Sequence, residues 1–204
     1  KTALPASGVM FFVSVVWGSV ISFIALHAAE QGIANIGLFF SANALAMFIA
    51  RPLSGRWADS GNMGKVLLIA NLAVFVGMVT VGFSQTVMGF SLAGSVLGLG
   101  FGFYIPTLQT LAVRDVPADR RGAATGTFFI AIDLGIGLGT TGLAHFLATP
   151  LVEWIKTLPA EWKLEEFSLT STFFWMVVIA TTVGLLLSFT RARQMEGAGA
   201  SKVG

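Results

Sequence analysis

Asp133 stands inside the apolar run 122–147, whose only other ionisable side chain is His145. Counted from Arg121, it lies twelve residues along a helix, about 18 Å at 1.5 Å per residue, near the middle of a hydrocarbon core of roughly 30 Å. A charged carboxylate at that depth costs about 2.5 to 3.5 kcal/mol, so the group should be protonated, paired or turned toward a wet cavity. Two chemistries fit. One is proton or cation coupling, in which desolvation favours the neutral acid. The other is a structural carboxyl hydrogen-bonded to neighbouring helices, for instance through Thr125 or Thr127. His27 and His145 fall near the ends of their runs, where polar interfacial residues are ordinary. With no paired histidines, no serine–histidine arrangement and no ligand cluster, neither an enzyme nor a metal or cofactor is expected. Zero cysteines exclude disulfides and thiol chemistry.

The elements that must position Asp133 belong in a bilayer. Mean hydropathy is +0.82, and charged residues make up 11% of the chain, against about 25% in ordinary soluble domains. Six apolar runs approach the roughly 20 residues a membrane helix needs: 4–28, 36–53, 66–83, 90–113, 122–147 and 169–190. They are continuous rather than alternating, and longer than barrel strands of about 10 residues, so the expected class is all-α with six transmembrane helices. Glycines recur on helical faces: Gly94, Gly98 and Gly102 in the fourth run, and Gly135, Gly139 and Gly142 in the fifth. In lipid such stripes let backbones approach closely. Pro106 should kink the fourth helix and free a carbonyl that Thr110 could satisfy.

Charge sets an orientation. Ten Lys and Arg residues, from Lys1 through Arg51, Arg56, Lys65, Arg114, Arg120 and Arg121 to Arg191, Arg193 and Lys202, fall on the side of both termini, against Lys156 and Lys163 on the other. Both termini are therefore expected in the cytoplasm. The basic residues flank helices and form no extended patch, so no nucleic-acid partner is expected. The expected organisation is a bundle over 1–190, containing an extracellular segment 148–168, and a disordered tail over 191–204. Leu151, Trp154, Ile155 and Leu158 recur at helical spacing in that segment, the pattern of a helix lying in the interface.

Arg51, Gly55, Arg56 and Asp59 resemble the loop between the second and third helices in a half of the major facilitator superfamily. Gly98 to Gly102, Pro106, Pro117, Arg121-Gly122, Gly126, Asp133-Leu-Gly and Gly137-Leu-Gly resemble the fourth and fifth helices of its carboxy-terminal half. The resemblance covers most of the chain and points to the drug:proton antiporter branch. It implies a gating loop of Arg51, Gly55, Arg56, Asp59 and Lys65, in which Gly55 lets helix ends cross closely and Asp59 acts as a latch. Ser60 stands where a basic residue is usual, and Thr140 follows Gly139 where the antiporter motif has proline. The resemblance also implies that helices one and four line a substrate cavity, with Ser14, Trp17, Ile21, Phe101, Tyr104 and Thr107 as candidate contacts. Aromatic walls with few polar groups suit small amphipathic molecules better than sugars.

The chain begins at Lys1, without an initiator methionine, and is expected to be cut from something longer. Two functions compete. The first is the half of a secondary transporter in a bacterial plasma (inner) membrane, exporting drug-like molecules with proton coupling and partnered by an amino-terminal six-helix half. The second is a stand-alone six-helix protein that pairs with a second copy as a half-size transporter or scaffold.

Overall fold

A computed structural model of the chain describes residues 3–59 and 63–147. Five helices fill these residues: α1, Leu4–Glu30; α2, Gly37–Asp59; α3, Met63–Phe83; α4, Val87–Arg114; and α5, Arg121–Leu147, entered through a single 3-10 turn at Ala118–Arg120. All five contain stretches long and apolar enough to cross a membrane. The expected sixth run 169–190, the interfacial segment 148–168 and the tail 191–204 lie outside the described residues.

Local chemistry fixes the helix ends. Pro5 sits in the first turn of α1, where its missing N–H costs no intrahelical bond. α1 stops at Gln31, and Gly32 follows at a φ of 76°, a left-handed conformation that glycine adopts without strain. There Gly32 N–H donates to the Ala29 carbonyl at 3.0 Å and Ile33 N–H to Ala28 at 2.9 Å, closing the helix end. The side chain of Asn35 accepts from Gly37 N–H at 2.8 Å where α2 begins. Thr86 caps α4 by accepting from Gly89 N–H at 3.1 Å.

α4 is the hub: it packs on α2 and α3 and touches α1, while α1 packs along α5. Glycines make these crossings close. A methyl added to Gly94 would lie 2.5 Å from the Phe39 carbonyl oxygen, and one on Gly102 would lie 2.6 Å from Ala50 Cβ, so these positions seat α2 directly on α4. Gly98 between them faces the carbonyl of Asn43. On the α3 side, Gly77 admits Leu97, and Gly100 admits Val74. On α5, Gly135 and Gly139 lie against the backbone of α1 at Phe11 and Val15, and α1 reciprocates with Gly18 against Ile136. Such contact supplies the dispersion attraction that holds helices together where no hydrophobic force acts between them.

The outside of the bundle is apolar. Phe48 is 75% exposed, Met88 70% and Leu45 62%, a surface suited to lipid and not to water.

The second helix runs beyond its expected end at Leu53. Arg51, Gly55, Arg56 and Asp59 all lie on α2, and Lys65 is in the first turn of α3, so only residues 60–62 separate the two helices. Charges mark where the apolar core ends, yet the backbone continues its own hydrogen bonding into the polar interface. Pro52 is carried inside α2, and beside it the Ser54 hydroxyl donates to the Arg51 carbonyl at 2.8 Å.

Candidate functional site

Six side chains on α1 and α4 are candidates for contact with a transported molecule, and their surroundings differ. Trp17 packs on Phe101 with ring centroids 4.5 Å apart, which joins the two helices. Phe101, Tyr104 and Thr107 are buried along α4, each about 1% exposed. Ser14 is equally buried, with its Cβ beside Gly135 of α5. Ile21, one turn beyond Trp17, is exposed. Ser14, Trp17 and Ile21 share one broad face of α1 by spacing, and that face divides between α5, α4 and the surface of the bundle.

Asp133 is exposed on α5. The side of α5 turned to α1 carries Ala124, Phe128, Gly135 and Gly139, all buried. The opposite side carries Gly126, Phe129, Ile130, Asp133 and Gly137, all exposed. Among the described residues no hydrogen-bond or ion-pair partner meets Asp133. Thr127 is engaged locally, its hydroxyl donating to the Ala123 carbonyl at 2.9 Å. The carboxyl is therefore presented on a helix face that none of the other four described helices covers.

At the end of the bundle where α2 meets α3, the Arg51 guanidinium approaches Met47 Sδ at 3.7 Å, and Arg56 and Lys65 are exposed. Trp57 stacks on Phe103 of α4, centroids 5.7 Å apart and planes 7° from parallel. At Gly55 a Cβ would meet nothing within 4 Å among the described residues. The latch residue Asp59 closes α2. At the same end, Arg114 pairs with Asp115 at 3.5 Å and Arg120 with Asp119 at 3.8 Å. These pairs are exposed and contribute little to stability.

Several polar ties between helices were not anticipated. Asn43 Nδ2 donates to the Gly94 carbonyl at 3.0 Å, fastening α2 to α4 beneath the glycine stripe. The Ser19 hydroxyl lies 2.8 Å from the Val15 carbonyl and 3.2 Å from that of Gly139, and Ser22 donates to Thr140 Oγ1 at 3.1 Å, so serines tie α1 to α5. His27, expected at the interface, is buried; its Nε2 lies 3.3 Å from the Val81 carbonyl and its ring stands edge-on to Phe90 at 5.7 Å. It thus joins α1 to α3 and α4. Thr110 donates to the Pro106 carbonyl at 2.9 Å, not to the carbonyl that the proline frees one turn earlier. The sequence signal for these ties is a polar residue on a helix face that also carries small residues, but it does not name the partner.

Among the described residues no group of His, Asp and Glu could hold a metal ion. Residues 3–140 match the family model described as Major Facilitator Superfamily. The chain is 31% identical over 148 residues to the staphylopine export protein of Staphylococcus aureus, covering 68% of this chain and 36% of that one. It is 31% identical over 193 residues to the multidrug resistance protein MdtG of Dickeya zeae, covering 91% of this chain and 43% of the relative. To MdtG of Citrobacter koseri it is 27% identical over 191 residues, covering 90% and 43%. The chain thus spans less than half the length of these curated relatives. Five apolar helices of spanning length together with the family match make it an integral, multi-pass membrane protein in contact with lipid.

Proposed function

We propose that this chain, which belongs to the Major Facilitator Superfamily, is the carboxy-terminal half of a secondary transporter that exports small amphipathic or drug-like molecules by alternating access. The observation that carries the reading is the family match over 3–140, laid on a bundle whose five described α-helices are all of membrane-spanning length. The names of the relatives, an export protein and multidrug resistance proteins, support export as the direction. Aromatic side chains on α1 and α4, Trp17 against Phe101, support an amphipathic substrate. The exposed Asp133 on α5 supports proton coupling in an antiporter, because an intramembrane acid is costly unless it is protonated, paired or wetted. The proposed setting is a bacterial plasma (inner) membrane, with an amino-terminal six-helix half completing the cavity between halves.

The test is uptake of a fluorescent lipophilic cation into inverted vesicles energised by a proton gradient. The chain expressed alone should leave the dye distribution unchanged, and co-expression with its amino-terminal half should produce gradient-dependent movement abolished by an uncoupler. Robust transport by the chain alone would instead favour a self-paired half-size transporter.

A further inference from the structure

The five described helices touch in two different ways. α1 lies along α5 at backbone distance: Gly135 faces the Phe11 carbonyl, Gly139 the Val15 carbonyl, and Gly18 the main chain of Ile136. Two hydrogen bonds lock that pair, from Ser19 to the Gly139 carbonyl at 3.2 Å and from Ser22 to Thr140 at 3.1 Å. α2 lies on α4 in the same manner, through Gly94, Gly98 and Gly102 and the bond from Asn43 to the Gly94 carbonyl. α3 joins them, since a methyl on Gly100 would lie 3.0 Å from the Val74 nitrogen and 3.1 Å from the Ala70 carbonyl oxygen.

The meeting of α1 with α4 is of the second kind. No described glycine of either helix places one backbone against the other. Contact is by side chains: Trp17 on Phe101 at 4.5 Å and, about 15 Å further along α1 toward Glu30, His27 edge-on to Phe90 at 5.7 Å. Val20 and Ile24 of α1 share one apolar core with Phe90 and Leu97 of α4. A hydrogen bond also crosses here, between His27 Nε2 and the Val81 carbonyl of α3 at 3.3 Å. A carbonyl only accepts, so Nε2 carries the proton.

The two kinds of contact differ in what they allow. Interdigitated side chains can slide past one another by about 1 to 2 Å, the shear motion of packed helices. A glycine seat lacks that freedom, because a displacement drives a flanking side chain into the facing main chain and breaks the bonds beside it. We propose that the described bundle consists of two units, α1 with α5 and α4 with α2 and α3, which shear against each other along the seam between α1 and α4. His27 is the clasp that holds this seam at its Glu30 end. The links 31–36 and 115–120 tie the units at both ends of the bundle, which limits the motion to a slide. Trp17 and Phe101 stand on opposite sides of the seam, so the slide reshapes the wall they share. Its use in transport rests on the export reading; the division into units does not.

The test is double electron–electron resonance on the full chain in lipid nanodiscs, with pairs of spin labels on cysteines introduced into a chain that has none. Leu26 with Ile130 reports on the α1 and α5 unit, Phe48 with Leu72 on the other unit, and Leu26 with Leu72 across the seam; all four side chains are exposed. In the otherwise unaltered chain the cross-seam distribution should be the broadest of the three. His27→Ala should shift or broaden it further by about 2 Å and leave the other two as they were. His27→Gln, which offers an amide N–H to the Val81 carbonyl, should restore it. Equal widths for the three pairs overturn the division, and that comparison needs no substitution at His27. A change between Leu26 and Ile130 in His27→Ala also overturns it, since α1 would then leave α5 rather than move with it. A cross-seam distance indifferent to His27→Ala overturns the clasp.

Discussion

Gly137 and Gly139 lie two residues apart on α5 and face opposite surroundings. A side chain on Gly139 would run into the Val15 carbonyl of α1, whereas one on Gly137 would meet nothing within 4 Å. Gly139→Val should therefore force α1 and α5 apart and lower stability by about 1 to 3 kcal/mol, the usual cost of overpacking a close contact. Gly137→Val should change stability by no more than about 0.5 kcal/mol, as surface substitutions generally do. Thermal unfolding of the purified variants in the same detergent measures both, and equal losses would refute the assignment of α5's packing face. Asn43→Leu belongs to the same scale. It removes the donor to the Gly94 carbonyl and should cost about 0.6 kcal/mol and no more than about 1.7, the average and the maximum measured for hydrogen bonds between membrane helices.

At the scale of the helix, α5 separates two jobs on two faces: one packs on α1, and the other carries Asp133 outward. That division yields a prediction with two readouts. Neither Asp133→Asn nor Asp133→Leu should lower the melting temperature of the bundle, because the carboxyl bonds no described side chain and leucine is at home on an apolar face. In the reunited transporter, Asp133→Asn keeps the shape of the protonated acid and should preserve substrate binding while flattening or shifting the pH dependence of transport. An unchanged pH profile would place coupling elsewhere and leave Asp133 without a role in proton movement. The sequence made the existence of α1 to α5 legible because runs of about 20 apolar residues admit only one hydrogen-bonded solution in lipid. It misjudged the end of α2, since hydropathy falls at Arg51 while the helix persists to Asp59. Within the candidate site, spacing revealed the glycine stripes and put Tyr104 and Thr107 on adjacent turns. It could not reveal that Ser14 turns to Gly135 or that His27 reaches Val81, because partners on another helix depend on register between helices, which no single helix encodes.

Across the whole molecule, the helices alternate in direction, so the C-terminal end of α2, the N-terminal end of α3, the C-terminal end of α4 and the N-terminal end of α5 share one end of the bundle. Every described Lys and Arg lies toward that end: Arg51, Arg56, Lys65, Arg114, Arg120 and Arg121. The opposite end, where α1 passes to α2 and α3 to α4, contains Glu30 and His27 and no described Lys or Arg. Positive charge in short loops resists translocation, so the basic end should face the cytoplasm. Because the chain has no cysteine, single cysteines give an unambiguous readout. Ser60→Cys and Asp119→Cys should react with a membrane-impermeant maleimide only in inverted vesicles, while Glu161→Cys, in the acidic segment between the fifth and sixth runs, should react in intact cells. Arg120 and Arg121 make the same argument quantitative in direction. Replacing both with Glu would leave the face of α5 that packs on α1 untouched, since both are exposed, and would remove the Arg120–Asp119 pair and the bond from Arg121 Nε to the Val116 carbonyl, but would above all weaken the charge bias that fixes α4 and α5. A mixed population, with Asp119→Cys labelled from both sides in that background, is the expected result. Exclusive labelling of Ser60→Cys or Asp119→Cys from outside in the otherwise unaltered chain would reverse the orientation and put the basic end beyond the membrane.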